Sequence, residues 1–243
     1  MLVLNVCFMH NKFSKILNDI NSILVPKGCF GCNAHLYKGE RLLCTVCRNQ
    51  LPLTEYNYND ENPFDSIFYG KVFIKKSNSF LFFTENGVVK NLIHHLKYKN
   101  KEAIGAFLGD WCGAIIKEGK MLDHIDLVFP VPLHKKKLKK RGYNQVSLFG
   151  KTIAHHLNTD YKEDVLIKTK NTKTQTKKDR FFRWQSNQDL YTLNTAVSLK
   201  NKNVLIVDDV VTTGATLEAC AKAIEHVEGI TIYVLTMAMV AKT

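Results

Sequence analysis

The sequence predicts an α/β fold, a parallel sheet flanked by helices, with a small cysteine-rich domain near its N-terminal end. Three observations support this prediction. Two apolar runs enclose a helical pattern between residues 204 and 235, an apolar run at 127–132 precedes a basic stretch and a second helical pattern, and two Cys-x-x-Cys pairs lie within residues 29–47. Because strand, helix and strand in succession form a βαβ unit, a ligand crevice is expected at the carboxyl ends of the strands.

The C-terminal unit contains the most informative segment of the chain. Residues 204–207 form a short, continuous apolar run rich in β-branched side chains, which is typical of a strand buried on both faces of a parallel sheet. The pattern predicts a helix from Leu217 to Glu228 and another strand from Ile230 to Leu235. The first strand therefore delivers the adjacent carboxylates of Asp208 and Asp209 to a turn that enters a helix.

The chemistry of this turn suits a sugar phosphate. Backbone N–H groups at a helix N-terminus lack intrahelical partners and carry partial positive charge, and Gly214 allows a ligand to approach closely. With the threonine hydroxyls of residues 212–216, they favour a phosphate monoester. Asp208 and Asp209 suit vicinal sugar hydroxyls or a hydrated Mg²⁺ ion. The alternative is a buried strand that ends in a capped loop, with Asp209 as a turn residue.

The segment resembles the motif with which type I phosphoribosyltransferases bind phosphoribosyl pyrophosphate (PRPP). The resemblance implies that Asp208 and Asp209 hold the ribose 2′- and 3′-hydroxyls and act as catalytic residues. It also implies a set of ligands for the 5′-phosphate: Val211, Thr212, Thr213, Gly214, Ala215 and Thr216. Mg²⁺ is the expected cofactor, since it would bridge the pyrophosphate and the ribose hydroxyls.

The positive charge is concentrated in two segments. Residues 133–141 contain six Lys or Arg and no acid, and residues 168–183 contain seven Lys or Arg and one acid. Together they carry a net charge of +12, which equals the formal net charge of the whole 243-residue chain. Such local basicity is expected of a protein that binds a polyanion or a highly phosphorylated small molecule.

Both basic segments are predicted to face the ligand crevice. The first follows a strand at 127–132, precedes a helix at 146–157, and is interpreted as a loop for the pyrophosphate of PRPP or the phosphates of a nucleic acid. Its main candidate is Arg141, because arginine grips phosphate oxygens bidentately, with Lys140 beside it. The second is a long polar loop, typical of an active-site lid, with Lys173, Gln175 and Arg180 as candidate ligands. The alternative for the first loop is a solvated basic surface.

The N-terminal cysteines predict a structural zinc site. Cys29 and Cys32 form one pair and Cys44 and Cys47 the other, with eleven residues between the pairs. Four thiolates arranged in this way suit a tetrahedral Zn²⁺ ion with no open position for catalysis, and the metal would supply folding energy to a small domain. Disulfide bonds are the alternative, but the chain lacks secretory signals.

The domain boundaries follow from composition. We expect an N-terminal helix and Cys₄ zinc-ribbon-like domain at 1–54, a polar linker at 55–63 and the sheet domain at 64–243, which begins with a hairpin of residues 71–74 and 79–83. Helices are predicted from about residue 86 and at 101–118. No apolar run reaches the ~18 residues of a membrane span, and the N-terminus is a poor signal peptide, so we expect a cytoplasmic protein.

The whole set of motifs resembles the ComF family, bacterial competence-associated proteins that include a GntX-like branch. The matching pieces, in chain order, are Pro26-Lys27-Gly28-Cys29-Phe30-Gly31-Cys32, Cys44-Thr45-Val46-Cys47, Leu96-Lys97-Tyr98, Pro130-Val131-Pro132-Leu133-His134, Arg141-Gly142-Tyr143-Asn144-Gln145, Thr174-Gln175 with Arg180, and the PRPP motif. The resemblance implies a zinc-binding head on a type I phosphoribosyltransferase domain and a link to DNA uptake in natural transformation. One departure is Lys99-Asn100, where the family usually has a glycine.

The leading hypothesis is therefore a protein that transfers or senses PRPP with Mg²⁺, in which the basic loop stabilises the pyrophosphate and the lid excludes water. The alternative from another class is a competence accessory that binds single-stranded DNA, supported by aromatic residues beside the basic ones. A third hypothesis is a scaffold, without turnover, that responds to PRPP and binds a competence helicase or uptake protein through its zinc-binding head.

Overall fold

The computed structural model describes residues 27–122, 124–169 and 190–241. The chain divides into two compact units, Met1–Leu51 and Pro52–Thr243. The predicted N-terminal helix and the lid residues Lys173, Gln175 and Arg180 lie outside the described residues. Within the described part of the chain, no helix is long and apolar enough to cross a membrane.

The first unit, as far as it is described, is built around its cysteines. A short helix, α1 (Thr45–Asn49), begins after Cys44, whose Sγ accepts a hydrogen bond from the backbone N–H of Cys47. A single antiparallel bridge pairs Gly28 with His35. With so little regular structure, the four thiol side chains form the centre of this unit.

The second unit is an α/β layer structure. Its sheet has five parallel strands in the order β1-β7-β6-β2-β3, and a separate antiparallel hairpin pairs β4 with β5. The strands are β1 (Lys76–Phe83), β2 (Leu127–Pro130), β3 (Asp160–Tyr161), β4 (Leu166–Lys168), β5 (Tyr191–Leu193), β6 (Asn203–Val211) and β7 (Thr231–Val240). The helices are α2 (Val88–Tyr98), α3 (Ala103–Glu118), α4 (Lys135–Arg141), α5 (Ser147–Leu157) and α6 (Ala215–Lys222), and a 3₁₀ turn spans Asp65–Ile67.

Burial follows the predicted pattern. The apolar run of β6 is inaccessible to solvent at all four positions, Val204 to Val207, because β7 and β2 flank it and helices cover the faces. Helices α3 and α5 approach closely through glycines: a Cβ on Gly109 would lie 2.7 Å from the carbonyl oxygen of Phe149. The prediction of a parallel sheet flanked by helices is confirmed.

The predicted hairpin of residues 71–74 and 79–83 is wrong. Residues 71–74 form no strand, and β1 is one continuous strand that pairs in parallel with β7, more than 150 positions away. Ser77 and Asn78, expected at the turn, lie inside β1 and are buried. Two polar residues between apolar runs are typical of a turn, but here their side chains are satisfied by tertiary hydrogen bonds, for example from Asn78 Nδ2 to the carbonyl oxygen of Tyr56 (2.8 Å).

The segment expected to be a linker, residues 55–63, packs within the second unit. The hydroxyl of buried Tyr58 donates to the carbonyl oxygen of Val234 at 2.8 Å, and Asn62 Nδ2 donates to that of Ser77 at 2.9 Å. Tyr58 and Asn62 thus serve as hydrogen-bond donors to the sheet. The division of the chain into the proposed domains remains a prediction.

Two helical boundaries also differ from expectation. The basic stretch predicted as a loop contains α4, which ends at Gly142 in the left-handed conformation. A run of lysines has good helix propensity, which the loop interpretation neglected. The helix predicted at 217–228 is shorter, since α6 ends at Lys222.

Candidate functional site

The acidic pair lies on the carboxyl-terminal half of β6. Asp208 and Asp209 are only 9% and 6% exposed, and Asp208 is paired in register with Thr236 of β7. Two adjacent carboxylates in a nearly dry position are costly unless hydrogen-bonded or paired with cations. Their partners therefore define the site.

A small concave cavity of about 60 Å³ follows the pair. It is lined by Asp208 and by residues 210–216, the segment predicted to hold a phosphate. Thr212, Thr213, Ala215 and Thr216 are exposed, and Gly214 occupies the N-cap of α6 in the left-handed conformation (φ 76°). The free N–H groups of the first helical turn thus lie beside accessible hydroxyls, an arrangement suited to an anion.

The cavity packs against the segment around Ile67 and Phe68, which no sequence motif associates with it. A Cβ on Gly214 would lie 2.5 Å from Cγ2 of Ile67 and 3.1 Å from Cε1 of Phe68. Both side chains are buried and belong to the 3₁₀ turn and the residue that follows it. Glycine is therefore required at position 214 by both backbone conformation and packing.

Asp209 is the centre of a chain of hydrogen bonds. Its Oδ2 accepts from Lys97 Nζ at 2.9 Å and from Gln145 Nε2 at 2.6 Å, while Oε1 of Gln145 accepts from a guanidinium nitrogen of Arg141. We call these four residues the Asp209 network. It joins the end of α2, the end of α4 and β6.

The motifs around this network contact one another. The Tyr143 hydroxyl donates to the carbonyl oxygen of Leu96, and the guanidinium of Arg141 lies 5.9 Å from the centre of the Tyr98 ring. Asn144 Nδ2 donates to the carbonyl oxygen of Val131 at 2.9 Å. The three sequence motifs at 96–98, 130–134 and 141–145 are thus one structural assembly at the carboxyl edge of the sheet.

Burial raises the pKa of Asp208 from 3.8 to about 7, and the neighbouring carboxylate of Asp209 acts in the same direction. Lys168 opposes this rise, and burial in turn lowers the pKa of its ammonium group, which donates to the hydroxyl of Tyr191 at 2.8 Å. Lys168 ends β4 and Tyr191 begins β5. The hairpin therefore supplies a partly buried cation near Asp208.

The structure brings together most of the residues that the sequence singled out. Asp208, Asp209 and the cavity residues are contiguous, and Arg141 reaches Asp209 through Gln145. Lys140 is exposed in the last turn of α4. Sequence reasoning quoted Lys97 and Gln145 only as parts of motifs and missed Ile67 and Phe68 entirely. The motif at 96–98 was the available signal for Lys97, and no local signal marks Ile67 or Phe68.

The cysteine cluster is formed as predicted. The Sγ atoms of Cys29, Cys32, Cys44 and Cys47 all lie within 4.8 Å of one another, and all four thiols are free. Backbone N–H groups of Gly31 and Cys44 each donate to Cys29 Sγ at 3.3 Å. Convergent sulfur atoms with N–H donors suit a metal ion bound as a tetrathiolate, so this cluster could hold one.

Comparison with known proteins first defines the class. Residues 147–240 match the family model of the phosphoribosyl transferase domain. Together with the parallel sheet, this match confirms the predicted type I phosphoribosyltransferase fold. Among solved structures, an adenine phosphoribosyltransferase is 20% identical, covering 57% of this chain and 72% of its own, with a TM-score of 0.36. A hypoxanthine phosphoribosyltransferase from Staphylococcus aureus is 15% identical, covering 56% and 62%, with a TM-score of 0.36.

Sequence similarity to named proteins then identifies a particular group of relatives. The chain is 26% identical to Competence protein ComFC of Bacillus subtilis over 82% of this chain and 78% of the relative. It is 26% identical to Competence protein F of Haemophilus influenzae, over 86% and 96%. DNA utilization protein YhgH of Escherichia coli is 26% identical over 54% of this chain and 58% of its own. The predicted relationship to ComF proteins is confirmed: this chain is their homologue and carries a phosphoribosyltransferase domain.

Gly214→Ala is expected to destabilise the second unit by about 2–4 kcal/mol, because a Cβ both forces an unfavourable backbone conformation and clashes with Ile67. Gly70→Ala is the matched control, since Gly70 has a similar φ of 70° but no neighbour within 4 Å. Urea unfolding measures both. Equal losses in the two variants would show that Ile67 does not support the cavity.

The raised pKa of Asp208 predicts a pH dependence of stability. Between 3.8 and about 7, folded Asp208 holds a proton that the unfolded chain has released. The free energy of unfolding attributable to this group therefore falls as pH rises through that range. Urea unfolding at pH values from ~5 to ~7 should show a steeper fall for the native chain than for Asp208→Asn. Exposed Asp160→Asn should keep the native slope, and equal slopes for the native chain and Asp208→Asn would contradict the assignment.

Proposed function

We propose that this chain binds PRPP together with Mg²⁺ at the carboxyl edge of its sheet, as a phosphoribosyltransferase-like protein associated with DNA uptake. One observation carries the proposal. The buried carboxylates of Asp208 and Asp209 lie directly beside a concave cavity lined by backbone and threonine hydroxyls. An anion site next to two hydrogen-bond acceptors matches a sugar with a phosphate at one end and a vicinal diol at the other.

The parts of PRPP are assigned to the site by their chemistry. The 5′-phosphate occupies the cavity of residues 211–216, and the ribose 2′- and 3′-hydroxyls donate to Asp208 and Asp209. The pyrophosphate lies toward Lys140 and Arg141, where α4 ends in three consecutive basic residues. The prediction that Lys173, Gln175 and Arg180 also bind the pyrophosphate concerns residues outside those that the structure describes.

Two carboxylates and the phosphates of the ligand are the hard oxygen donors that Mg²⁺ prefers, so the residues fit this ion. When bound, it would neutralise charge on the pyrophosphate. Arg141 orients the pyrophosphate bidentately and stabilises the charge that develops as it leaves. The cavity holds the phosphoribosyl group in place during transfer to an acceptor. A protein that senses PRPP without turnover would use the same contacts up to that step.

The names of the relatives support a proposal for the cellular role. Two curated homologues are named as competence proteins and a third as a DNA utilization protein. We infer a role in natural transformation, in the cytoplasm, with a helicase or an uptake protein as a partner. Free thiols in a metal-binding arrangement agree with a reducing compartment.

For the cysteine cluster we propose Zn²⁺ as a structural ion. Four converging thiols leave no position for a substrate, and residues 27–51 contain little regular structure to fold without a metal. Zinc would therefore stabilise the first unit.

The PRPP proposal is tested by titration calorimetry with Mg²⁺ and PRPP. The double variant Asp208→Asn/Asp209→Asn should bind PRPP about 100-fold or more weakly, because charge-assisted hydrogen bonds to both hydroxyls weaken. Asp160→Asn, an exposed carboxylate on β3, should bind like the native chain. If the folded, zinc-loaded native protein does not bind PRPP, the proposal is wrong.

The zinc proposal predicts a single bound Zn²⁺ ion that is lost on substitution of its ligands. Cys32→Ser/Cys47→Ser should purify without zinc, because two thiolates cannot complete the tetrahedron. Cys112→Ser, which changes a buried cysteine of the second unit, should retain it. Native mass spectrometry gives the metal content, and zinc retained by the double variant would contradict the assignment.

A second function, binding of single-stranded DNA, is favoured by the surface of α4. None of its residues is buried, six of its seven are basic, and Tyr98 beside Arg141 is 66% exposed. Exposed aromatic rings next to cations suit stacked bases and their phosphates.

This second function is tested by the salt dependence of DNA binding. Changing Lys135, Lys136 and Lys139 to Gln should reduce the slope of log K against log salt by about 2, since each lost phosphate contact contributes roughly 0.7. The exposed residues Lys90, Lys117 and Lys151, changed in the same way, are the control and should leave the slope unchanged. A native slope near zero would exclude phosphate contacts as the basis of binding.

A further inference from the structure

The carboxylate of Asp209 is occupied by protein donors in this structure. Its Oδ2 accepts two hydrogen bonds, from Lys97 and from Gln145, and its Oδ1 accepts one from the backbone N–H of Val210. An ionised carboxylate offers about four lone-pair sites, so roughly one remains. A ribose hydroxyl gains full access to Asp209 only after Lys97 or Gln145 releases it.

Lys97 and Gln145 do not release Asp209 unless other hydrogen-bond donors replace them. Asp209 is 6% exposed, so water does not readily take over the hydrogen bonds that it would lose. Something must therefore attract the donors and, at the same moment, supply new partners to the carboxylate. A sugar hydroxyl satisfies the second condition but carries no charge to satisfy the first.

The positions of Lys97 and Gln145 indicate which kind of ligand would attract them. The Lys97 side chain is 23% exposed at the last turn of α2, and its charge is not confined to the interior. Gln145 is held through its Oε1 by Arg141, which follows the lysines of α4. A compact polyanion at this end of the site pulls on Lys97 directly and on Gln145 through Arg141.

We propose that Lys97 and Gln145 determine specificity by making Asp209 available only to a ribose that carries a pyrophosphate. The inference rests on the proposed function and deepens it. Pyrophosphate draws Lys97 and Arg141 toward itself, Asp209 loses its internal partners, and the ribose hydroxyls take their place. Ribose 5-phosphate, and by the same chemistry a nucleoside monophosphate, fills the cavity of residues 211–216 but leaves Asp209 closed.

The test compares PRPP with ribose 5-phosphate on the full-length, zinc-loaded chain in Mg²⁺. Displacement calorimetry gives both affinities for the native protein, Lys97→Met and Lys90→Met. Lys97→Met should bind PRPP more weakly and ribose 5-phosphate more tightly, so that their affinity ratio falls on the order of tenfold, within the usual range of coupling between sites. Lys90 is exposed on the same helix, so Lys90→Met should keep the native ratio.

The increase in affinity of Lys97→Met for ribose 5-phosphate distinguishes a role in specificity from direct contact with pyrophosphate and from a structural role. If Lys97 only contacts pyrophosphate, its loss weakens PRPP binding and leaves ribose 5-phosphate unchanged, which would overturn the proposal. A merely structural role would weaken both ligands and would overturn it as well. Should Lys97→Met fail to fold, Gln145→Met removes the other donor to Oδ2 and must give the same gain.

Inorganic pyrophosphate supplies an independent measurement. Saturating pyrophosphate should raise the affinity of the native chain for ribose 5-phosphate, because the anion that opens Asp209 is then provided separately. In Lys97→Met this increase should be smaller, because only the hydrogen bond from Gln145 remains to be released, and its absence in the native chain would overturn the inference. If the native chain binds neither PRPP nor ribose 5-phosphate, the proposed function itself fails. Binding of PRPP without either effect refutes the specificity role alone.

Discussion

The surrounding structure depends on the burial of two adjacent carboxylates at the end of β6. Asp208 and Asp209 lie in the central region of the sheet, where water cannot compensate for their charge. The fold provides compensation from elements that are distant in the sequence: Lys97 from α2, Gln145 from the segment before α5, and Lys168 from β4. The acidic pair is thus a candidate ligand site whose partners come from three separate parts of the chain.

The two ends of the site differ in kind. The cavity is formed mainly by backbone and short side chains of residues 210–216, and the packing of Ile67 and Phe68 against Gly214 leaves it little freedom. The opposite end consists of long basic side chains, of which Lys97 and Arg141 already have partners in the protein. A preorganised cavity loses little entropy when it binds an anion, whereas long side chains can exchange one partner for another. The first end suits affinity for a constant group, and the second suits discrimination between ligands.

The sequence was sufficient where the signal was local. The apolar run of β6, the adjacent carboxylates, the turn into α6 and the spacing of the four cysteines each lie within a short segment, and the structure has them as predicted. It was insufficient where the determinant is a tertiary contact. Ser77 and Asn78 have the composition of a turn but lie inside β1, because Asp65, Asn62 and Tyr56 supply hydrogen-bond partners to that part of the strand. The motif at 96–98 marks Lys97, but not its partner, since the carboxylate that it neutralises lies 112 positions later.

Several residues of the site lie outside the region that matches the family model. The matched region, 147–240, contains the carboxylates and the cavity of residues 210–216, but Lys97, Arg141, Gln145 and the supporting residues Ile67 and Phe68 all precede it. A fragment restricted to the matched region would keep the adjacent carboxylates without Lys97 and Gln145, and removing partners from a buried charged group is strongly destabilising. The residues between Pro52 and Gln145 are therefore integral to the site. Under the proposed function, differences in specificity between related chains are to be sought there, because the cavity would hold a phosphate common to every ribose 5-phosphate ligand while the earlier residues would meet the part that varies.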